Sequence, residues 1–338
     1  MNLLILTNNP DRASFRQRIG IYLDTLRAGG INCEVAKLPT GSLARRKLFK
    51  RAMDFNGVLL HKKCLNCLDA FYLRKYGRKI IYNFDDAVMY SDRNPERHSR
   101  SHFVPFRRTV KLTSVVIAGN SYLAGHAKEF NSRVEVVPTG LDMKSYEVKA
   151  KVKNDGKIRL VWIGSKSTLK YLAGIKPALE EIGSRFDNVV LRIICDEFFD
   201  LDNVEVEKRQ WSHETQFLDL AASDIGLAPL PDNRFTRGKC GFKILQYAAA
   251  GLPVIASPVG VNAEYVSDGV TGFHAVSVME WTESISTIIK DSQLRRSMGL
   301  AGRHKVERFD IATVGKQFYD IIDNCLGSGG SAHVTCTV

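Results

Sequence analysis

Between residues 236 and 272 the chain reads TRGKCGFKILQYAAAGLPVIASPVGVNAEYVSDGVTG, an order that few folds can accommodate. Gly241 opens a run of good helix formers over residues 242–250, and Gly251 followed by Pro253 closes it. Val254-Ile255-Ala256 is then too short and too apolar for anything but a strand covered on both faces, as in a parallel sheet. The end of such a strand points into a ligand crevice. Lys239, Lys243 and Gln246 are spaced by four and then three, so they share one face at the positive end of the helix if its register extends back to Lys239. Two cations and an amide there suit a diphosphate carried on a hydroxyl-rich group.

The same alternation runs through the rest of the chain. Strand-like segments at 2–7, 31–36, 57–60, 80–84, 115–118 and 134–137 are separated by helical ones, beginning with 14–28. A polar, charged stretch around 144–156 reads as a linker. The series then starts again with a strand at 158–163, followed at once by Gly164, small hydroxyl residues and lysines at a helix start, which is a phosphate-cradle arrangement without being a Walker loop. Ser165, Lys166 and Lys170 belong to it. The expected class is α/β, with two Rossmann-like doubly wound domains facing a cleft between them. Arg12, Arg16 and Arg18 fall at the first loop-to-helix junction, where Arg16 is a candidate for a phosphate or acceptor contact, though an exposed helix arginine reads the same way. Asp85 and Asp86 end the strand at 80–84. Two adjacent carboxylates there suit an acceptor hydroxyl or a positively charged sugar centre, and they would equally cap the next helix.

Charge is divided unevenly. Residues 1–150 hold 26 Lys and Arg against 13 Asp and Glu, and the remainder 22 against 23, within a net charge of +12. All the excess positive charge is in the first half, which points to an anionic partner. The basic segment 41–54 (GSLARRKLFKRAMD), with Leu43, Leu48 and Phe49 as an apolar stripe, suits either an anionic bilayer or packing on a sheet with its charges in water. A nucleic acid is not expected, because the basic residues are not interleaved with an aromatic stacking platform or a reader motif. Seven cysteines spread through 338 residues argue against a disulfide framework and for a reducing cytosol; Cys64 and Cys67 lack the second pair a zinc site would need. No apolar run reaches membrane-spanning length, and the first residues read as a buried strand rather than a signal.

The stretch 236–272 resembles the donor-binding motif of the retaining family 4 glycosyltransferases of GT-B fold, in a subgroup reading roughly KCGFK-LQYMA-GLPVVASPVG-N-E. Residues 82–87 resemble the subgroup's YD-DDA element, 118–124 its AGNSYLA, 138–142 its PTGLD turn, 162–172 its WIGS-ST-KYL and 224–230 its DIGLAPL strand. The resemblance implies a nucleotide-diphosphate sugar as donor substrate, a glycan or lipid-linked acceptor, and neither cofactor nor metal. It places Gly164, Ser165, Lys239, Gly241, Phe242, Gln246, Gly260, Asn262 and Glu264 around the donor and gives Lys170, Lys243 and Asp86 catalytic roles; Lys166, at a position the motif leaves open, is a further donor-side candidate as a cation able to replace the charge of the family's arginine. Arg16 and Asp85 then serve the acceptor or a phosphate. Two departures stand out: Ser165 replaces the wider family's arginine, and the family's paired glutamates fall on Gly238 and Gln246. Gln246 has one acceptor oxygen and no charge, so a weaker ribose contact is implied.

The domains expected are 1–145 for the acceptor side, a linker at 146–157, 158–305 for the donor, a helix at 306–326 crossing back to the first domain, and a tail at 327–338. The expected location is the cytoplasm, with a peripheral position on the inner face of the plasma membrane. A sugar-nucleotide epimerase on the same architecture and a nucleic-acid-binding protein are the alternatives.

Overall fold

The computed structural model describes residues 1–97, 99–146 and 155–327. Most of the expected linker and nearly all of the expected tail lie outside these residues. The chain divides into two compact units. One is Met1–Gly140 with the segment from Ile311 onward, and the other is Leu141–Asp310.

The first unit holds a parallel six-stranded sheet of β1 (Asn2–Thr7), β2 (Asn32–Lys37), β3 (Gly57–His61), β4 (Ile80–Phe84), β5 (Val115–Ala118) and β6 (Val134–Val136), in the order β2-β1-β3-β4-β5-β6. Every residue of β3, β4 and β5 is buried, as the unbroken apolar runs require of strands covered on both faces. The single helix expected at 14–28 is broken into Ala13–Arg18, a 3-10 turn Gly20–Tyr22 and Leu23–Ala28. Glycine is a weak helix former, in keeping with the break next to Gly20. The closing helix Ile311–Gly327 packs on this unit through Phe318, 5.1 Å from the Tyr22 ring, and through the Tyr319 hydroxyl, which donates to the Gly29 carbonyl at 3.0 Å.

The second unit repeats the plan with β7 (Ile158–Ile163), β8 (Val189–Cys195), β9 (Glu205–Gln210), β10 (Ile225–Ala228), β11 (Val254–Ala256) and β12 (Gly272–His274), in the order β12-β11-β10-β7-β8-β9. Alternate residues of one strand feed two cores. Val161 and Ile163 pack with Ile244, Leu245 and Tyr247, whereas Leu160 and Trp162 pack with Leu172, Leu179 and Ile285. Such a doubly wound sheet opens a crevice where the strand order reverses, here between β7 and β10. These two strands pair only at Ile225 with Leu160 and Gly226 with Val161. Beyond that the Tyr247 hydroxyl stands between them, accepting from the Ile163 N–H at 3.0 Å and donating to the Leu227 carbonyl at 3.2 Å. Among the described residues, no helix is long and apolar enough to cross a membrane.

Candidate functional site

In the second unit the site begins at the switch point. Gly164 follows β7 directly, and a Cβ there would lie 2.4 Å from the Trp162 ring and 2.6 Å from Lys243 Nζ, so only a glycine lets this ammonium reach the strand end. Lys243 Nζ is 3.8 Å from the Trp162 ring centroid. Burial, and then the neighbouring Lys239, lower its pKa to about 7. A strongly perturbed pKa of this kind marks Lys243 as a candidate site residue.

Gly241 positions that lysine. Its φ of 61 is left-handed, and a Cβ would stand 2.8 Å from the Tyr265 ring; the helix Phe242–Ala249 starts immediately after it. The helical register does not extend back to Lys239 as the spacing suggests. Residues Thr236–Gly238 form a 3-10 turn and Lys239 is extended, with φ −67 and ψ 143. Its ammonium nevertheless remains in the neighbourhood of Lys243, 4.7 Å from the Phe235 ring centroid. Phe242 is half-buried against the core that holds Ile244 and Tyr247.

The other predicted donor residues are placed less uniformly. Ser165 caps the helix Lys166–Ala173, its N–H donating to Thr168 Oγ1 at 3.2 Å. Lys166 is exposed and ion-paired with Glu197, so its charge is already compensated. Lys170 is exposed, with its ammonium 5.2 Å from the Tyr171 ring centroid. The ribose contact read into Gln246 meets a side chain that is only 4% exposed and whose amide donates to Gln216 Oε1 at 3.2 Å, with Tyr146 also hydrogen-bonded to it. Its side chain is buried with these two partners. Gly260, at φ 55, backs onto the Arg237 carbonyl, and Asn262 is buried at the start of the short helix Asn262–Tyr265. Glu264 is exposed, and its carbonyl accepts from Lys305 Nζ at 2.7 Å.

In the first unit the functional groups gather at the ends of β1, β3 and β4. Asp85 and Asp86 leave β4 as expected, but both bind a residue that the sequence reading passed over. Lys62 Nζ is 2.9 Å from Asp85 Oδ1 and 2.5 Å from Asp86 Oδ2. Burial alone would lower the pKa of this ammonium; Asp85 and Asp86 more than reverse that and hold it well above the usual lysine range. The signal was its place directly after a buried strand. His61 contacts Thr7 Oγ1 through Nδ1 at 3.2 Å and meets the Phe15 ring edge-on at 5.6 Å. Burial carries its pKa down to about 4 against the pull of Asp85, so the imidazole is neutral. Arg16, the predicted contact, is exposed and donates to the Asp11 carbonyl at 2.7 Å. Arg18 is the arginine that enters the interior. It donates from Nε to Asn83 Oδ1 at 3.1 Å and from Nη1 to the carbonyls of Val137 and Pro138 at 2.7 and 2.9 Å.

The basic segment also resolves. Within it the helix Ser42–Lys50 buries Phe49, half-buries Leu48 and exposes Leu43. Arg45 ties it to the helix Cys67–Tyr76 through Asp69 at 2.7 Å, and Arg46 lies over the Tyr72 ring. No group of three His, Cys, Asp or Glu side chains is arranged to hold a metal ion among the described residues.

Residues 130–291 match the family model described as Glycosyl transferases group 1. A D-inositol 3-phosphate glycosyltransferase from Corynebacterium aurimucosum is 30% identical over 102 residues, which cover 30% of this chain and 23% of that protein's length. HepE from Anabaena, solved in complex with UDP-glucose, superposes with a TM-score of 0.72 at 19% identity, covering 96% of this chain and all of that one. Sucrose-phosphate synthase from Thermosynechococcus elongatus superposes with a TM-score of 0.73 at 14% identity, over 96% of this chain and 99% of that one.

Proposed function

Because the chain carries a Glycosyl transferases group 1 segment on a GT-B fold, we propose that it moves a sugar from a nucleotide-diphosphate sugar to a hydroxyl of a glycan or lipid-linked acceptor, with retention of anomeric configuration. The observation that carries the reading is the Lys243 ammonium held against Gly164 and Trp162 at the switch point of the second sheet. Breaking the glycosidic bond leaves negative charge on the diphosphate. Lys243, Lys239 and the N-terminal amides of the helix Phe242–Ala249 supply compensating positive charge without a metal, and Lys170 is the further cation on the neighbouring helix. The departing phosphate deprotonates the incoming hydroxyl on the same face of the sugar. Asp86 and Asp85 serve the acceptor.

The acceptor's setting is read from the first unit. Leu43, Leu68 and Phe71 are exposed by 74%, 59% and 60% on two helices that also carry Arg46, Lys47, Lys50, Arg74 and Lys75. Apolar tips among cations suit the surface of an anionic bilayer, which would hold a lipid-linked acceptor at the cytoplasmic face during polysaccharide or glycoconjugate synthesis.

Thermal shift against a panel of nucleotide-diphosphate sugars tests the donor, since ligand binding to the folded state raises its melting temperature. UDP-glucose is the first choice, being the ligand of HepE. Lys243→Ala is expected to abolish the response, and an undiminished response would remove the basis of the reading. Proton NMR of the product reports the anomeric configuration, turnover in excess EDTA tests the metal-free reaction, and conversion of the donor to its epimer without acceptor would favour an epimerase instead.

A further inference from the structure

The turn after β3 holds a feature that phosphate binding leaves unused. Lys62 has φ 57, a left-handed conformation that residues other than glycine adopt only at a cost, and among the described residues Asn203 is the other non-glycine there. The turn is pinned in place. The Lys62 N–H donates to the Asn83 carbonyl at 2.8 Å and the Lys63 N–H to the His61 carbonyl at 2.7 Å. The Lys62 side chain passes from the end of β3 to the first residues beyond the neighbouring β4, where it meets Asp85 and Asp86 together. An exposed ion pair contributes too little to justify a strained backbone. This triad is mostly sheltered, with side-chain exposures of 18% for Lys62, 16% for Asp85 and 28% for Asp86, so its charges are poorly screened.

We propose that Lys62 is a positioning residue for sugar transfer: its ammonium fixes the two carboxylates so that Asp86, the more open of them, meets the acceptor hydroxyl in one orientation. The assignment rests on the transfer reading above. Two adjacent carboxylates without a shared cation repel each other and turn toward water. One ammonium between them removes the repulsion and sets the rotation of both side chains, while the triad keeps a net negative charge. The electrostatic order is therefore built by the backbone turn at Lys62, and Asp86 depends on it.

The test compares wild type, Lys62→Met, Lys62→Arg, Asp86→Asn and the double variant Lys62→Met/Asp86→Asn. UDP binding by calorimetry reports the second unit and is expected to be equal in all five. UDP release from UDP-glucose, with water standing in for the acceptor, is expected to fall about 100-fold in kcat with Lys62→Met, at unchanged KM, because a small misplacement of a reacting group has that effect. Lys62→Arg recovers most of the loss. The double variant is no slower than Asp86→Asn, since Lys62 acts through Asp86. Losses that multiply in the double variant, or a Lys62→Met enzyme as fast as wild type, overturn the assignment. If Lys62→Met does not fold, failure of Lys62→Arg to retain activity overturns it in the same way. If wild type neither binds UDP nor releases it from UDP-glucose, the transfer reading for this donor has failed, and crystal structures decide the rest: Asp85 and Asp86 displaced in the lysine variants uphold the positioning role, and carboxylates left in place overturn it.

Discussion

The Lys243 ammonium stands 3.8 Å from the centroid of the Trp162 ring, on the open side of a glycine that could carry no side chain without striking both. The indole face offers a weak attraction to a cation, and burial and Lys239 oppose the charge. The balance leaves the charge on this lysine disfavoured.

Its pKa, lowered to about 7 by burial and then by Lys239, gives a signed prediction. An unfolded lysine keeps its proton up to its ordinary value, so between about pH 7 and 10.5 the unfolded chain binds more protons than the folded one. This group's contribution to stability therefore rises with pH across that window, and stability relative to Lys243→Met should rise with it in urea titrations. Ligand binding runs the other way: a diphosphate needs the ammonium, so UDP affinity should weaken above pH 7, by up to roughly tenfold per pH unit. Calorimetry in buffers of different ionisation enthalpy should show proton uptake on binding at pH 8. No uptake would mean that Lys243 is already charged or does not meet the ligand.

Gly241→Ala should separate backbone geometry from charge. The φ of 61 and the 2.8 Å approach to Tyr265 both resist a methyl group, so a loss of about 1–3 kcal/mol in folding stability is expected. Because Gly241 sets the start of the helix that carries Lys243, UDP affinity should fall in the same variant. Gly251→Ala is the control, since Gly251 has φ 77 but nothing within 4 Å of a Cβ; it should lose stability through strain alone and keep its affinity.

What the sequence disclosed, and what it concealed, follows from the range of the interactions. The buried strand Val254–Ala256 and the helix that opens after Gly241 depend on neighbours in sequence, and both are legible; the left-handed φ of Gly241 appears only in the structure. The spacing leaves open whether the helical register reaches Lys239, and the 3-10 turn Thr236–Gly238 with an extended Lys239 decides against it. The burial of Gln246 depends on Gln216, thirty residues away, and no local pattern announces that partner. Arg18 and Arg16 are two residues apart on one short helix, and the one that turns inward meets Asn83 and the Val137 and Pro138 carbonyls just beyond β6, partners far away in sequence. Lys62 escaped notice for a similar reason. A lysine in the basic half of the chain reads as solvated until a left-handed turn after a buried strand brings it to two carboxylates.

Arg18 is expected to hold the first unit together rather than bind ligand. It is 1% exposed, and its removal leaves Asn83 and two carbonyls without their donor. Losing those bonds in a buried site should cost about 3 kcal/mol. Arg18→Lys should recover little, because a single ammonium cannot span acceptors arranged for a guanidinium fork. Urea denaturation of Arg18→Met and Arg18→Lys provides the measurement. UDP affinity in the folded fraction should be unchanged, and a selective loss of affinity would reassign Arg18 to the site.

The exposed apolar side chains of the first unit make the membrane reading testable without knowing the acceptor. Leu43 lies on one helix and Leu68 and Phe71 on the next, and the Arg45–Asp69 ion pair at 2.7 Å ties these helices together. The side chains should therefore act on a bilayer as a unit. Burying one such side chain stabilises the bound state by about 1.5–3 kcal/mol, so Phe71→Ser should weaken sedimentation with vesicles of anionic phospholipid by roughly tenfold or more. Vesicles of zwitterionic lipid should bind poorly from the start, and added salt should weaken the anionic case as screening removes the contribution of Arg46, Lys47 and Lys50. Phe49 supplies the contrast. It belongs to the same basic segment and is fully buried, so Phe49→Ser should unfold the first unit rather than release it from lipid. Equal vesicle binding by wild type and Phe71→Ser would leave the cations alone responsible, and loss of binding only at high salt would identify the contact as electrostatic without insertion.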